Sequence, residues 1–274
     1  MTMEFKHIPV LLNECIEGLS IKENGIYVDG TLGGAGHSFQ IAKALKNTGM
    51  LIGIDKDIDA LNAAKEKLKE YENIKYIQDN HDNIKNILCD LEIPKVDGIL
   101  LDLGISSYQI DNPQRGFSYM HDAPLDMRMD ENQTKTAKSV INTYSEEELS
   151  NIIFEYGEEK FARQIAKNIV IERNKAEIKT TKELVKIIEN SMPASARWKE
   201  GHPAKKTFQA IRIEVNDEIR PLYNTVMDAI NCLNLGGRLC IITFHSLEDR
   251  IVKKAYQDAL RKMYMPTRFT ILCM

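Results

Sequence analysis

No apolar run in the chain is long enough to span a bilayer, and Met1–Pro9 carries no secretory core; both absences predict a cytoplasmic protein with no membrane partner. The five cysteines (Cys15, Cys89, Cys232, Cys240, Cys273) are odd in number, scattered and never spaced Cys-x-x-Cys, so neither a disulfide frame nor a zinc site is expected. The histidines show no His-x-x-x-His or other ligand spacing, and no metal is expected. There is one tryptophan, no internal repeat, and no Gly-x4-Gly-Lys-Ser/Thr string to cradle a phosphate. What remains is 274 residues, 43% hydrophobic and 28% charged, enough for one large domain or two modest ones.

The most informative stretch is Tyr27-Val-Asp-Gly-Thr-Leu-Gly-Gly-Ala-Gly-His37. A short apolar run from Ile26 reads as a buried strand that breaks into a glycine-crowded turn and then a helical pattern. Glycines there let a ligand lie against the main chain. A second apolar run, Met50–Ile54, ends in Asp55, 22 residues after Gly33. That is where a nucleoside-binding α/β fold carries the carboxylate that accepts from ribose hydroxyls. A dinucleotide fingerprint fails on spacing, because from Gly34 the residue at i+5 is Phe39. With no lysine to meet a phosphate, the turn suits a nucleoside with an amino-acid tail, such as S-adenosylmethionine. The plainer alternative is a tight turn and nothing more.

Strands are expected at Ile26–Asp29, Leu51–Asp55, Ile74–Gln78, Gly98–Asp102 and Arg238–Phe244, with helical patterns at Phe39–Leu45 and Ile58–Lys69. That alternation predicts a mainly parallel sheet with ligands at its carboxyl edge, where Asp29, Asp55 and Asp102 all fall. The 136 residues from Asp102 to Arg238 exceed any simple crossover, so a small helical domain is inserted. Its start, Asp111–Asn132, reads as loop; Ser145-x-x-Glu148 and Thr180-x-x-Glu183 are capping boxes opening apolar-periodic helices. The expected division is residues 1–110 and 207–274 for the sheet domain and 111–206 for the insert, with the sheet rejoined through one long helix, Thr207–Leu233, bent at Pro221 and ended by Gly236-Gly237.

Net charge is −4, yet Lys160–Arg212 holds 13 basic and 5 acidic residues. A solvated helical face is the ordinary explanation. The loop containing Arg197, Trp198, Lys199, Lys205 and Lys206 points the other way, since the single tryptophan among cations suits phosphate contact plus base stacking.

Six strings in order carry a resemblance that spans nearly the whole chain: Asp29-Gly-Thr-Leu-Gly-Gly-Ala-Gly-His37, Leu100-Leu-Asp-Leu-Gly-Ile-Ser-Ser107, Arg115-Gly-Phe-Ser-Tyr119, Pro124-Leu-Asp-Met-Arg-Met-Asp130, Pro203-Ala-Lys-Lys-Thr-Phe-Gln209 and Phe244-His-Ser-Leu-Glu-Asp-Arg250. They resemble the motifs of the bacterial small-subunit ribosomal RNA cytosine-N4 methyltransferases. The resemblance implies an α/β class I S-adenosylmethionine-dependent fold, Rossmann-like and mainly parallel, with an inserted helical substrate-recognition domain. It implies methylation of one cytidine N4 in the decoding region, with the small ribosomal subunit and its RNA as partner and the oligomeric state open, a dimer included. Carried over by position, Gly34, Ala35, Gly36, His37, Asp55, His81, Asp102 and Gln109 would bind the cofactor, and Asp102, Ser106 and Ser107 would serve catalysis. Where this chain has His81 the family tends to have phenylalanine. Family members also continue past Phe244–Arg250 into a basic, serine-rich last strand, which this sequence, ending Arg268-Phe-Thr-Ile-Leu-Cys-Met274, is expected to lack. An unprotected sheet edge and a non-catalytic ribosome-binding relative are the alternative that follows.

Overall fold

The computed structural model describes residues 9–199, 201–262 and 270–273, with backbone only at 107, 262 and 270–273. The chain divides into two compact units, one built from residues up to Tyr108 and from Ile219 onward, the other Gln109–Glu218.

The first unit is a Rossmann-like α/β sheet. Six parallel strands, β1 (Ile26–Asp29), β2 (Met50–Asp55), β3 (Ile74–Gln78), β4 (Val96–Asp102), β5 (Leu233–Thr243) and β6 (Thr270–Cys273), lie in the order β3-β2-β1-β4-β5-β6. Successive side chains leave opposite faces of a strand, and both faces are covered, so these strands are apolar throughout. Val28, Ile52, Ile99, Leu101 and Ile241 pack with helices Ile84–Asp90, Leu222–Asn231 and Ser246–Lys262. Tyr27, Leu51, Leu100, Cys240 and Ile242 pack on the other side with helices Leu12–Leu19 and Gly36–Leu45. None of the helices described is long and apolar enough to cross a membrane.

Tyr27 and Gly98 are register partners on β1 and β4, and a Cβ at Gly98 would stand 2.6 Å from the Tyr27 ring. The ring is 1% exposed and its hydroxyl accepts from the Lys22 amide at 2.8 Å, so it has nowhere to go. Gly98→Ala is therefore expected to destabilise by about 1–3 kcal/mol, the usual cost of overpacking, measured as a fall in the urea midpoint at constant slope. An unchanged midpoint would show that the ring can yield.

Three expectations change. The sheet edge beside β5 is occupied by β6, paired from Cys240↔Thr270 to Thr243↔Cys273, so the last segment does supply an edge strand. The single helix over 207–233 is two, Lys205–Asn216 and Leu222–Asn231. Asp217 ends the first in a left-handed conformation (φ 51°) and Pro221, which cannot donate, precedes the second. Gly236-Gly237 ends no helix: both lie inside β5, which begins at Leu233.

In the second unit, helices Ala137–Thr143, Glu146–Gly157 and Thr181–Ser191 each open on a capping box, from Thr136, Ser145 and Thr180. Helix Lys205–Asn216 belongs to this unit, packing against Glu146–Gly157, which moves the sequence-based boundary from 206 to 218. The irregular stretch before Asn132 is bolted down by buried polar groups. Arg115 donates to the carbonyls of Arg128 (2.9 Å) and Met129 (3.1 Å), and Asn216 grips Met127 and Met129 through backbone bonds of 2.8 Å each.

Candidate active site

Strand order reverses between β2 and β4 around β1, and the crevice above that switch is where open α/β sheets bind ligands. Asp29 ends β1, 1% exposed, accepting from the Thr31 amide (3.1 Å) and the Ser38 hydroxyl (2.6 Å). The Thr31 hydroxyl in turn accepts from the Asp102 amide at 2.6 Å, locking the turn after β1 to the end of β4. A Cβ at Gly30 would meet Leu101 at 2.5 Å and His81 at 3.1 Å, so the main chain passes there only without a side chain.

Asp55 closes the glycine turn. One carboxylate oxygen accepts from the Gly33 amide (2.8 Å) and the other from the Asp57 amide (2.9 Å), leaving a lone pair on each for a further donor. Burial outweighs those bonds and pushes its pKa up to about 6. Gly33 has φ 48°, and a Cβ at Gly34 would meet nothing within 4 Å, so the turn borders open space. Ala35, fully buried at φ 53°, can offer a ligand only its backbone. Gly36 has a different need: its missing Cβ is where Pro9 sits, 2.1 Å away.

Asp102 stands at the carboxyl end of β4. Its pKa is raised to about 7, by burial first and then by the carboxylates of Asp29 and Glu248. Its Oδ1 is buried with no hydrogen-bond partner among the described residues, and its Oδ2 lies 3.7 Å from His37 Nδ1. His37 is 5% exposed; its Nε2 donates to the Val10 carbonyl at 2.9 Å, which turns Nδ1 toward Asp102. His81, partly accessible at its edge but set deep in the protein, is pushed down to about 3, by burial first and then by Lys56, and stays neutral. The Cβ of Ser106 comes within 3.7 Å of the Cβ position Gly33 lacks, which places Ser106 across from the glycine turn. Ser107 opens the short helix Ser107–Asp111, but its side chain lies outside the described residues.

The structure thus brings Gly33, Gly34, Asp55, His37, His81, Asp102 and Ser106 to one sheet edge. Gln109 is buried as the first residue of the second unit. Two participants escaped the sequence reading of roles: Thr31, whose hydroxyl ties β1 to β4, and Glu248, 2% exposed, whose charge reaches both Asp102 and His81. The signal for Glu248 was its place in the Phe244–Arg250 string.

In the second unit Trp198 is 59% exposed, edge-on to His202 at 5.1 Å, and His202 stacks on Tyr119 at 4.3 Å. Lys199 and Lys205 are exposed. Arg197 is half-buried, donating to the Met192 carbonyl at 3.3 Å with its Nε buried and without a partner among the described residues, and Lys206 is half-buried and engaged.

The sequence model of the MraW methylase family matches residues 4–274. The chain belongs to that family. Two relatives named ribosomal RNA small subunit methyltransferase H, from Clostridium botulinum strains Kyoto / Type A2 and Loch Maree / Type A3, are each 57% identical over 269 residues, covering 98% of this chain and 87% of theirs. Among solved structures, a SAM-dependent methyltransferase from Aquifex aeolicus overlaps 52% of this chain and 76% of its own at 15% identity and TM-score 0.28, too slight an overlap to bear on the assignment. As a member of the MraW methylase family the protein is a methyltransferase, with S-adenosylmethionine as methyl donor. The site fits such a donor: the glycine turn opens to free space, the Asp55 oxygens keep lone pairs for further donors, and a carboxylate oxygen without a partner among the described residues stands at the end of β4.

Proposed function

We propose that this protein methylates small-subunit ribosomal RNA at the exocyclic N4 of one cytidine in the decoding region. The observation that carries the chemistry is Asp102 Oδ1, a buried acceptor without a partner beside the glycine turn and Ser106. The N4 amine is a poor nucleophile because its lone pair is delocalised into the ring. Acceptors that take hydrogen bonds from its N–H groups restore that lone pair, and one of them must take the proton that the methylated amine sheds. A carboxylate with a pKa of about 7 suits that last step at neutral pH. Methylation at cytosine C5 would need a thiolate instead. Cys15, which feels the charges of Asp102 and Asp29, has its thiol pushed up to about 12 by burial first, and Cys240 is held at about 11, so neither supplies one.

S-adenosylmethionine supplies an electrophilic sulfonium methyl. In this reading the backbone of Gly33–Gly36 and His37 receive its amino-acid end, Asp55 takes the ribose hydroxyls, neutral His81 lies toward adenine, and Asp102, Ser106 and Ser107 face the amine. Asp55→Ala removes both the ribose acceptor and the bond that orders Gly33. It is expected to weaken S-adenosylmethionine about 10–100-fold, since charge-assisted bonds contribute about 1.5–3 kcal/mol. Calorimetry returning the wild-type affinity would take Asp55 out of the cofactor site.

The relatives named for the small ribosomal subunit, at 57% identity, support the substrate. The net charge of −4 favours a structured particle, where shape-matched local contacts overcome overall repulsion, over naked RNA. Arg197, Trp198, Lys199, Lys205 and Lys206 would make those contacts. Mass spectrometry of ribosomal RNA from cells with and without the gene tests the reading: one N4-methylcytidine in the small-subunit RNA should disappear with the gene. An identical nucleoside map would overturn it.

A further inference from the structure

We propose that Phe244 is the surface on which the target nucleobase stacks, and that Glu248 is the positioning residue that holds it. This rests on the reading of the protein as an RNA-base methyltransferase and adds the group that presents the base to Asp102.

β4 and β5 run side by side with Asp102 opposite Ile242. Two residues further along each strand, Gly104 and Phe244 meet: a Cβ at Gly104 would stand 3.5 Å from Phe244 Cδ2. The ring therefore lies along the rim of the turn that follows Asp102. It is 44% exposed, although the strand leading to it, Leu239 to Ile242, is at most 1% exposed. A large apolar ring left in water at the edge of a polar site is suited to a planar partner that arrives later.

The backbone under the ring is held from within. Glu248 Oε2 accepts from the Phe244 amide at 2.8 Å, with the His245 amide at 3.4 Å, and Oε1 lies 3.2 Å from His245 Nε2. A carboxylate in the first turn of helix Ser246–Lys262 could do this from the surface, as exposed caps do. Burying it to 2% exposure is costly for stability unless its bonds to Phe244 and His245 offset the loss of water. Its charge adds to that of Asp29 at Asp102, whose Oδ2 lies 3.7 Å from His37 Nδ1. One side chain thus holds the backbone under the stacking ring and adds its charge at the acceptor carboxylate.

The test uses the full chain, S-adenosylmethionine and purified small ribosomal subunits lacking the modification. Phe244→Ala should lower kcat/KM for subunit methylation about 10–100-fold, the range for losing one base–aromatic stack. Cofactor affinity by calorimetry should stay within about twofold and the melting temperature should hold, because the ring is exposed. Phe244→Tyr should recover most of the rate. Glu248→Gln should lower the rate and also move the acid limb of its pH profile to lower pH, a shift that a purely structural cap would not produce. Wild-type methylation by Phe244→Ala, or a loss that Phe244→Tyr does not recover, would overturn the stacking role, and an unmoved acid limb in Glu248→Gln would overturn the positioning role. Wild-type protein that binds S-adenosylmethionine yet methylates no subunit would overturn the parent reading and this one with it.

Discussion

Replacing Asp102 by asparagine is expected to lower kcat for subunit methylation about 10³-fold while S-adenosylmethionine affinity changes less than about threefold. Removal of a well-placed transition-state acceptor or proton-transfer group costs about 10²–10⁴-fold. The asparagine amide retains the shape and one acceptor but cannot take the proton. The pH dependence follows from the pKa of about 7. An ionised acceptor is required, so the wild-type rate should rise through about pH 7 and level off above it, and Asp102→Asn should lose that limb. The stability linkage has the opposite sense. Between the carboxylate's ordinary value of 3.8 and its folded value of about 7, the folded state binds the extra proton, so stability from this group falls as pH rises through that window. At pH 8 Asp102→Asn should therefore melt higher than wild type, by roughly 2–6 °C if 1–2 kcal/mol is relieved. Equal losses of cofactor binding and turnover would mean that Asp102 only shapes the cofactor pocket.

Neutralising Arg197, Lys199, Lys205 and Lys206 together is the second large effect, with small-subunit affinity falling about 10²-fold or more near physiological salt. Each phosphate contact contributes nearly one unit to the slope of log K against log salt, so that slope should flatten with the affinity. Lys199 and Lys205, both exposed, should contribute most; Arg197 and Lys206 are already partly engaged. A base to be methylated must leave its stack, at a cost of a few kcal/mol, and an external clamp offsets that cost. Trp198, edge-on to His202 of the His202–Tyr119 stack and 59% exposed, would supply the stacking half of such a clamp under the proposed function. Cofactor affinity should not move, because the candidate cofactor residues from Gly34 to Asp102 belong to the other unit. Wild-type subunit binding and salt slope in the quadruple variant would reduce the basic face to a solvated surface and leave recognition to the stretch Asp111–Asp130.

The sequence by itself determined the strands Ile26–Asp29 and Ile74–Gln78 to the residue, the two glutamate capping boxes, and the placing of three aspartates at strand ends. These follow from local rules, namely apolar runs bounded by turns and a side-chain oxygen reaching an amide three residues on. Where a long-range partner sets the outcome, local reading ran out. The helical pattern over 207–233 pointed to a bend at Pro221 but not to the end at Asp217, nor to a strand that starts at Leu233, since that pairing depends on β4 lying alongside. Thr270–Cys273 becomes a strand because β5 offers it an edge. The same division runs through the candidate site. The sequence placed Asp55 and Asp102 at strand ends, whereas only the tertiary structure gave Asp55 the Gly33 amide and lifted Asp102 to about 7, by burying it first and then by setting Asp29 and Glu248 near it. Charge and burial act through space, so the acidity of a carboxylate is a property of the fold around it.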